Sequence, residues 1–398
     1  MPLTLAQLEE RRLGLEKYLQ LLSQDQRVSN GMVFNGFLLA AQQETCSEKA
    51  EEVDLDVYLM NDSKVTIRGL TILQTEEVLE KTCRQLGVPN DLVYYFALYL
   101  IQRDEISGAV VILRKLQDYE SPYISQKSLH NCKLVLRKSS WDAKIDEDDL
   151  LQHKVTLNLL YVQTLSDVER GWVQANQDTR RQLAQLQSRG AKVEYMEMAR
   201  QQKDYGYLHF EPCTCDYPMT NTSVNVLIGG RELVIRIPDQ GKEGKFKVTK
   251  MRCWRIMTLA AEEAKEEDED EEANAAKLEL SFEYLMPSGE LQWVTIVSSQ
   301  AILISLCLQS MVEELLRTRN GVAIKKAGEK SCTTQFSFKK KDGSEIIIPI
   351  RSGLHSVSLK VSIGFMTWVL DTYYIYLFSR AKVVITNRCP VVSIQSEN

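Results

Sequence analysis

Cysteine, histidine and paired carboxylates are the side chains that most readily become nucleophiles, general bases or metal ligands, and in this chain of 398 residues they are sparse or scattered. Four histidines leave few general bases, and no GxSxG elbow, phosphate-binding GxxxxGK[ST] loop or HExxH helix occurs. The nine cysteines, at 46, 83, 132, 213, 215, 253, 307, 332 and 389, include no CxxC pair. An odd number of dispersed thiols reads as reduced cysteine in a reducing compartment, not as a disulfide framework. Cys213 and Cys215 in EPCTCDYP, with His209 nearby, make the densest metal-like set. A CxC spacing leaves one residue between ligands and no second cluster completes a tetrahedron, so zinc is not expected. The residues therefore predict a protein that is not an enzyme and carries no metal and no cofactor.

Recognition chemistry is better represented. TKMRCWRIM, residues 249–257, is a strand-length segment that sets the Trp254 indole between the guanidinium groups of Arg252 and Arg255. Strand alternation assigns Met251, Cys253 and Arg255 to one face, and Lys250, Arg252, Trp254 and Ile256 to the other. A face mixing Lys, Arg, Trp and Ile suits an edge turned to a partner. Tryptophan is also mostly buried, which suits a sandwich core. The pattern alone leaves both readings open.

The elements that must position this strand read as follows. Leu5, Leu8, Leu15, Tyr18, Leu19 and Leu22, then Val33, Phe34, Phe37 and Leu38, keep helical spacing, with Thr4 as an N-cap. The segment carries no strands of its own, so it reads as the back end of a larger domain. Val53, Leu55, Val57 and Leu59 alternate around an Asn-Asp-Ser turn; a helix follows, capped by Thr75 and stopped at Gly87, and then three apolar runs of strand length. The order ββαβββ describes a ubiquitin-like grasp. From Trp141 to Glu197 the period is helical throughout, with Leu157, Leu160, Tyr161, Thr164, Leu165 and Val168 on one face. From Tyr207 the period returns to two, with a hairpin at Gly229-Gly230 and a turn at Pro287-Ser288-Gly289. One long helix, starting at Ser298 or Ser299, closes this block as it closes a pleckstrin-homology or phosphotyrosine-binding sandwich.

Charge narrows the class. A net charge of -6 gives no global attraction to phosphate, which disfavours nucleic acid. The N-terminus spaces its charges through an amphipathic pattern, so no signal peptide is expected and the chain begins in the cytosol. The acidic run of residues 262–272 cannot bury so many like charges and is expected to be a solvated, disordered loop. The apolar segment 361–378 contains Asp371 centrally and lacks strong basic flanks, so membrane insertion would be poor.

Taken in order, these modules resemble a FERM domain over roughly residues 50–320. PLTLAQLEERRLGLEKYL resembles the last helices of a phox-homology domain, and YGYLHFEPCTCDYP, VTKMRCWR, LQWVTI and LCLQSMVEEL resemble the sorting nexins that join the two. The resemblance implies an α+β multi-domain protein: truncated phox-homology helices at 1–46, a ubiquitin-like lobe at 51–138, an all-α lobe at 139–205, a phosphotyrosine-binding-like sandwich at 206–320 and a divergent, disordered tail at 321–398. It also implies a non-enzymatic, monomeric cytoplasmic adaptor, peripheral on early endosomes, that captures NPxY or NPxF tails of receptors and promotes their recycling. The peptide would add as a strand at the edge spanning residues 250–255, with Trp254 as aromatic wall, Arg252 or Arg255 beside it, Leu285 in the neighbouring strand, and Val312 and Leu316 on the facing helix.

Two departures qualify that expectation. The family's Arg-Tyr pair and lysine-bearing loop for phosphatidylinositol 3-phosphate have no counterpart here, which leaves Arg11 as the remaining phosphate contact and predicts weak or lost lipid binding. Beyond about Ala323 the family's tail is replaced, so both ends suggest an alternative or partial gene product. Two other classes remain in view, a cytoskeletal-linker type of FERM scaffold and a tail-anchored membrane protein.

Overall fold

The structure is a computed structural model that describes residues 4–24, 28, 31–103, 110–129, 131–142, 149–258, 278–327, 332–339, 345–352 and 384–388. Two helices lead, α1 (Leu5–Gln24) and α2 (Met32–Thr45). They share an origin in one apolar pattern but not one fate. On α1, Leu5, Leu8, Leu15 and Tyr18 are exposed, whereas α2 buries Phe34 and Leu38 against Tyr119 and Leu306. Gln42 fixes that docking: it accepts from the Ser121 N–H and donates to Ser125 Oγ, both at 2.8 Å.

The first lobe is the grasp that the sequence predicts, with a short extra helix. Strands β1 (Glu52–Tyr58) and β2 (Lys64–Leu70) form the hairpin, α3 (Thr75–Leu86) crosses the sheet, and β3 (Phe96–Arg103), β4 (Val110–Lys115), α4 (Pro122–Lys127) and β5 (Cys132–Lys138) complete it. The sheet order is β2-β1-β5-β3-β4, with β1 and β5 parallel. Gly87 ends α3 in the left-handed region at φ 80°, as its lack of Cβ permits. The start of α3 differs from expectation. Gln74 caps it, because the buried Thr75 hydroxyl donates at 2.9 Å to the Glu120 carbonyl and ties the helix to the turn before α4.

The second lobe holds α5 (Lys154–Glu169), α6 (Gln177–Ser188) and α7 (Lys192–Arg200). Helix α5 is buried on more than one face: Leu159 and Val162 are covered as well as Leu160, Tyr161 and Thr164. Part of the additional cover comes from α7 and from β5 of the first lobe, both of which pack against α5. Asp167 receives Arg137 of β5 in a two-pronged buried ion pair at 3.1 to 3.3 Å. Such a pair is costly to break because the remaining charge is left unpaired away from water.

The third lobe meanders through β6 (Leu208–His209), β7 (Cys213–Cys215), β8 (Thr222–Gly229), β9 (Glu232–Ile237), β10 (Lys242–Lys247), β11 (Met251–Thr258), β12 (Leu278–Leu285) and β13 (Leu291–Val297), then closes with α8 (Ala301–Arg319). Gly230 and Arg231, both at positive φ, make the two-residue turn between β8 and β9. A Cβ on Gly229 would lie 2.6 Å from the Tyr207 ring, so that strand end approaches Tyr207 more closely than any side chain allows. Helix α8 starts after Gln300, whose N–H donates to Ser298 Oγ at 3.1 Å.

The lobes share one core and several bridges. Gln300 reaches the Ile112 carbonyl of the first lobe at 2.8 Å, Trp141 donates from Nε1 to Ser310 Oγ at 3.1 Å, and Trp172 stacks on His209 at 5.4 Å. Beyond α8, where the sequence predicts a disordered tail, the described residues contain a hairpin of β14 (Cys332–Lys339) and β15 (Glu345–Ser352) lying against α2, and a last strand β16 (Val384–Arg388). Alternating apolar residues in QFSFK, the continuous isoleucines of EIIIPI and the β-branched run VIT supply strand propensity there. The acidic run 262–272 and the apolar segment 361–378 lie outside the described residues.

Candidate functional site

Strand β11 stands near one end of the third-lobe sheet, whose order is β10-β9-β8-β7-β13-β12-β11-β16. It pairs with β12 in register from Cys253 opposite Glu283 to Thr258 opposite Leu278, and a bulge falls between Met251 and Cys253. That bulge changes the predicted faces. An extra residue reverses side-chain parity upstream of it, so Arg252 leaves the Trp254 face. Arg252 is exposed and forms an ion pair with Glu283, while Lys250 belongs to a helical turn before the strand. The mixed Lys-Arg-Trp-Ile face read from the sequence is therefore not formed.

Trp254 and Ile256 face inward. Trp254 is 2% exposed, lies opposite Phe282, and donates from Nε1 to Ser305 Oγ of α8 at 2.9 Å. Its indole is a core element whose one polar atom is satisfied. What β11 offers at Trp254 is backbone, with the indole behind it as support. Arg255 faces outward, and its guanidinium stacks over the Trp293 ring at 4.5 Å. Trp293, Leu285 and Leu291 are each about two-fifths exposed, an apolar group on the outer surface of the same sheet.

The remaining predicted positions divide. Leu285 is at the end of β12 on that outer surface, with 40% exposure. Val312 is buried against the core and Leu316 is half-buried beside it, one turn further along α8. Arg11 is exposed on α1, in a different element from the β11–β12 pair. The structure thus brings Trp254, Arg252, Arg255 and Leu285 to the β11–β12 ribbon, places Val312 and Leu316 on the helix that covers its inner face, and leaves Arg11 elsewhere.

Sequence reasoning missed three participants. Ser305 holds the indole, Glu283 pairs with Arg252 and accepts from Cys253 Sγ at 3.6 Å, and Trp293 carries Arg255. Trp293 was findable, because LQWVTI alternates it against Val294 and Ile296. Glu283 was not, since its pairing depends on the bulge. The thiols of Cys213 and Cys215 occupy β7, and burial pushes them up to about 12 and about 11, which keeps them protonated.

The outer edge of β11 carries a strand. Residues Cys253 to Met257 pair antiparallel with β16, Cys253 opposite Arg388 and Met257 opposite Val384. The backbone of β11 is thus hydrogen-bonded on both sides by strands that reach it from different parts of the chain.

Three lobes in this order, a grasp, a helical lobe and a helix-capped sandwich sharing one core, define a FERM module. Family profiles match it lobe by lobe: sorting nexin 17/27/31 FERM domain, F1 lobe, at 53–141; sorting nexin 17/31 FERM domain, F2 lobe, at 142–203; and sorting nexin 17 FERM C-terminal domain at 206–316. The chain belongs to the sorting nexin 17/31 family. It is 45% identical to sorting nexin-17 of Danio rerio over 87% of this chain and 74% of that protein, and 34% identical to sorting nexin-31 of Homo sapiens over 79% and 71%. Among solved structures it is similar to the human myosin 7b C-terminal MyTH4-FERM domain, solved with the harmonin-a PDZ3 domain, at 13% identity and a TM-score of 0.44 over 67% of this chain and 60% of that one. Among the described residues, no helix is long and apolar enough to cross a membrane.

Proposed function

We propose that this chain is an endosomal sorting adaptor whose third lobe takes the cytoplasmic tail of a transmembrane receptor as an added strand on β11. The observation that carries the reading is the antiparallel strand already paired to Cys253–Met257, which is the geometry that β-augmentation requires. Main-chain hydrogen bonds hold such a peptide, and side-chain pockets select it. In this reading the selecting surfaces are Leu316 on α8, with Val312 buried beside it as support, and Arg255 with Arg252 along the strand. NPxY and NPxF peptides, which combine an extended segment with a turn and an aromatic end, fit an edge that runs past a helix. Retrieval of such receptors from early endosomes for recycling is the cellular role consistent with the family. Arg11, exposed on α1, is the residue of this chain expected to contact phosphatidylinositol 3-phosphate, one charge-assisted hydrogen bond contributing about 1.5–3 kcal/mol.

Calorimetric titration of the chain with an NPxY peptide tests this reading. Saturable binding is expected, with roughly tenfold loss for Leu316→Ala when both proteins are compared well below their melting temperatures, the scale of a half-buried apolar contact of about 1.4 kcal/mol. Absence of binding, or equal binding by the variant, contradicts the site.

A further inference from the structure

We propose that the first lobe carries a docking cradle for a lysine-bearing peptide segment, and that the chain fills it with its own residues 324–327, latching the end of α8 to that lobe. The cradle shares no residue with β11 or with the selecting surfaces named above. Helix α3 presents Glu76 and Glu80 one turn apart, both buried. The Tyr94 hydroxyl lies 2.8 Å from Glu76 Oε1 and 2.9 Å from Glu80 Oε1, and its single proton can be donated to only one of them at a time. Two like charges this close and this well covered need a cation. Lys325 supplies it: its ammonium pairs with Glu76 and stands 4.9 Å from the centre of the Tyr94 ring.

The rest of the segment is held as well, which distinguishes a fitted occupant from a stray ion pair. After Arg319 the chain turns at Gly321, at φ 63°, where the Gly321 N–H donates to the Thr318 carbonyl at 3.2 Å and the Val322 N–H to the Arg317 carbonyl at 3.0 Å. Ile324 then packs against the shared core. Ala327 is buried, and its N–H donates at 2.8 Å to the carbonyl of Asn90, between α3 and Tyr94. Lys326 is exposed. The ligand so described is a peptide that reads apolar residue, lysine, any residue, small residue. The carboxylates and the ring face select the ammonium, and the Asn90 carbonyl takes the amide two residues further on. Because this segment leaves directly from α8, filling the cradle ties the third lobe to the first.

Amide exchange and a synthetic peptide test the cradle from its two sides. In the full chain, Lys325→Ala is expected to speed exchange of the Ala327 amide at least about tenfold, while Lys326→Ala leaves it unchanged and the amides of residues 98–100 in β3 keep the parent's protection in both variants. Unchanged Ala327 exchange in Lys325→Ala, equal acceleration by Lys326→Ala, or acceleration that extends equally to β3 overturns the latch. A labelled peptide of residues 320–329 then separates recognition from folding. It is expected to bind the full chain carrying Lys325→Glu, whose own segment is repelled by Glu76 and Glu80, and to bind at least about tenfold more weakly when the peptide itself carries Lys325→Ala. Failure to bind, or equal binding of both peptides, overturns the cradle. A parent chain that sediments as a dimer and loses Ala327 protection on dilution would assign the occupant to a second copy, which overturns occupation in cis.

Discussion

The third-lobe sheet ends in two strands of contrasting design. At one end β10 reads Lys-Glu-Gly-Lys-Phe-Lys, with Lys242, Lys245 and Lys247 exposed, Gly244 offering no side chain, and Glu243 holding Lys203 and Arg236 at 2.5 and 2.8 Å. Among the described residues β10 pairs with β9 alone. Lysine on an edge must be desolvated before another strand can pair, so β10 is protected by its own charges. At the other end β11 reads Met-Arg-Cys-Trp-Arg-Ile-Met-Thr, buries Met251, Cys253, Trp254 and Ile256, and pairs on both sides. Its two arginines are held at the sheet surface, Arg252 by Glu283 and Arg255 over the Trp293 ring. The contrast teaches that one edge of the same sheet is closed by charge while the other is closed by a partner, here the chain's own tail.

Breaking the support behind β11 has the largest expected effect. Trp254→Ala removes a fully covered indole and leaves the Ser305 hydroxyl without its donor, which is expected to lower stability by about 3–5 kcal/mol in denaturant unfolding. A loss below about 1 kcal/mol would mean that the indole is not core. Such a variant therefore tests folding rather than recognition, and lost peptide binding by Trp254→Ala is not evidence for direct contact.

The charged edge is sharpened by removing its charges. Replacing Lys242, Lys245 and Lys247 together with Thr is expected to produce concentration-dependent self-association in sedimentation, with the monomeric fold retained. A variant that stays as monomeric as the parent would show that lysine is not what closes β10.

Between the two edges, His209 of β6 reports on the interior. Burial lowers its imidazole below the ordinary 6.5, Nε2 has no hydrogen-bond partner, and its ring stacks flat on Trp172. The unfolded chain therefore takes up the proton first. Stability contributed by neutral His209 is complete above about pH 6.5 and is lost as pH falls from there towards the folded-state value, by at most about 1.4 kcal/mol per pH unit. His209→Gln is expected to flatten the slope between pH 7 and 5 relative to the parent; an identical slope would contradict this.

The smallest effect belongs to the surface of β11. Arg252 is more than half exposed in its pairing with Glu283, so Arg252→Ala is expected to change stability by less than about 1 kcal/mol. A larger loss would show that the bulge, and with it the strand's edge geometry, depends on that ion pair.

These residues also show how far the sequence could be read. Long, periodic features were legible: the hairpin around Asn61-Asp62, the stop at Gly87, the Gly229-Gly230 turn and the closing helix all follow from local propensity and turn chemistry. Features set by tertiary contact were not. Thr75 was free to cap its helix until Glu120 took its hydroxyl, and α5 had one apolar face until α7 and β5 packed against it. The faces of β11 were misassigned because a bulge depends on the partner strand, and a one-residue insertion moves Arg252 across the sheet. The tail strands were overlooked because a short β-branched run becomes a strand only where an edge receives it. Of the candidate site, the strand and its helix were readable, while Ser305, Glu283 and the occupied edge emerged only from the fold.

Strand addition would protect the β11 backbone, and amide exchange reads that backbone directly. In a chain ending at Ala381, addition of a saturating NPxY peptide is expected to slow exchange at Cys253–Met257 while β10 amides at Lys242–Lys247 stay unchanged. A peptide that binds and leaves the β11 amides as fast as before would contradict strand addition at this edge.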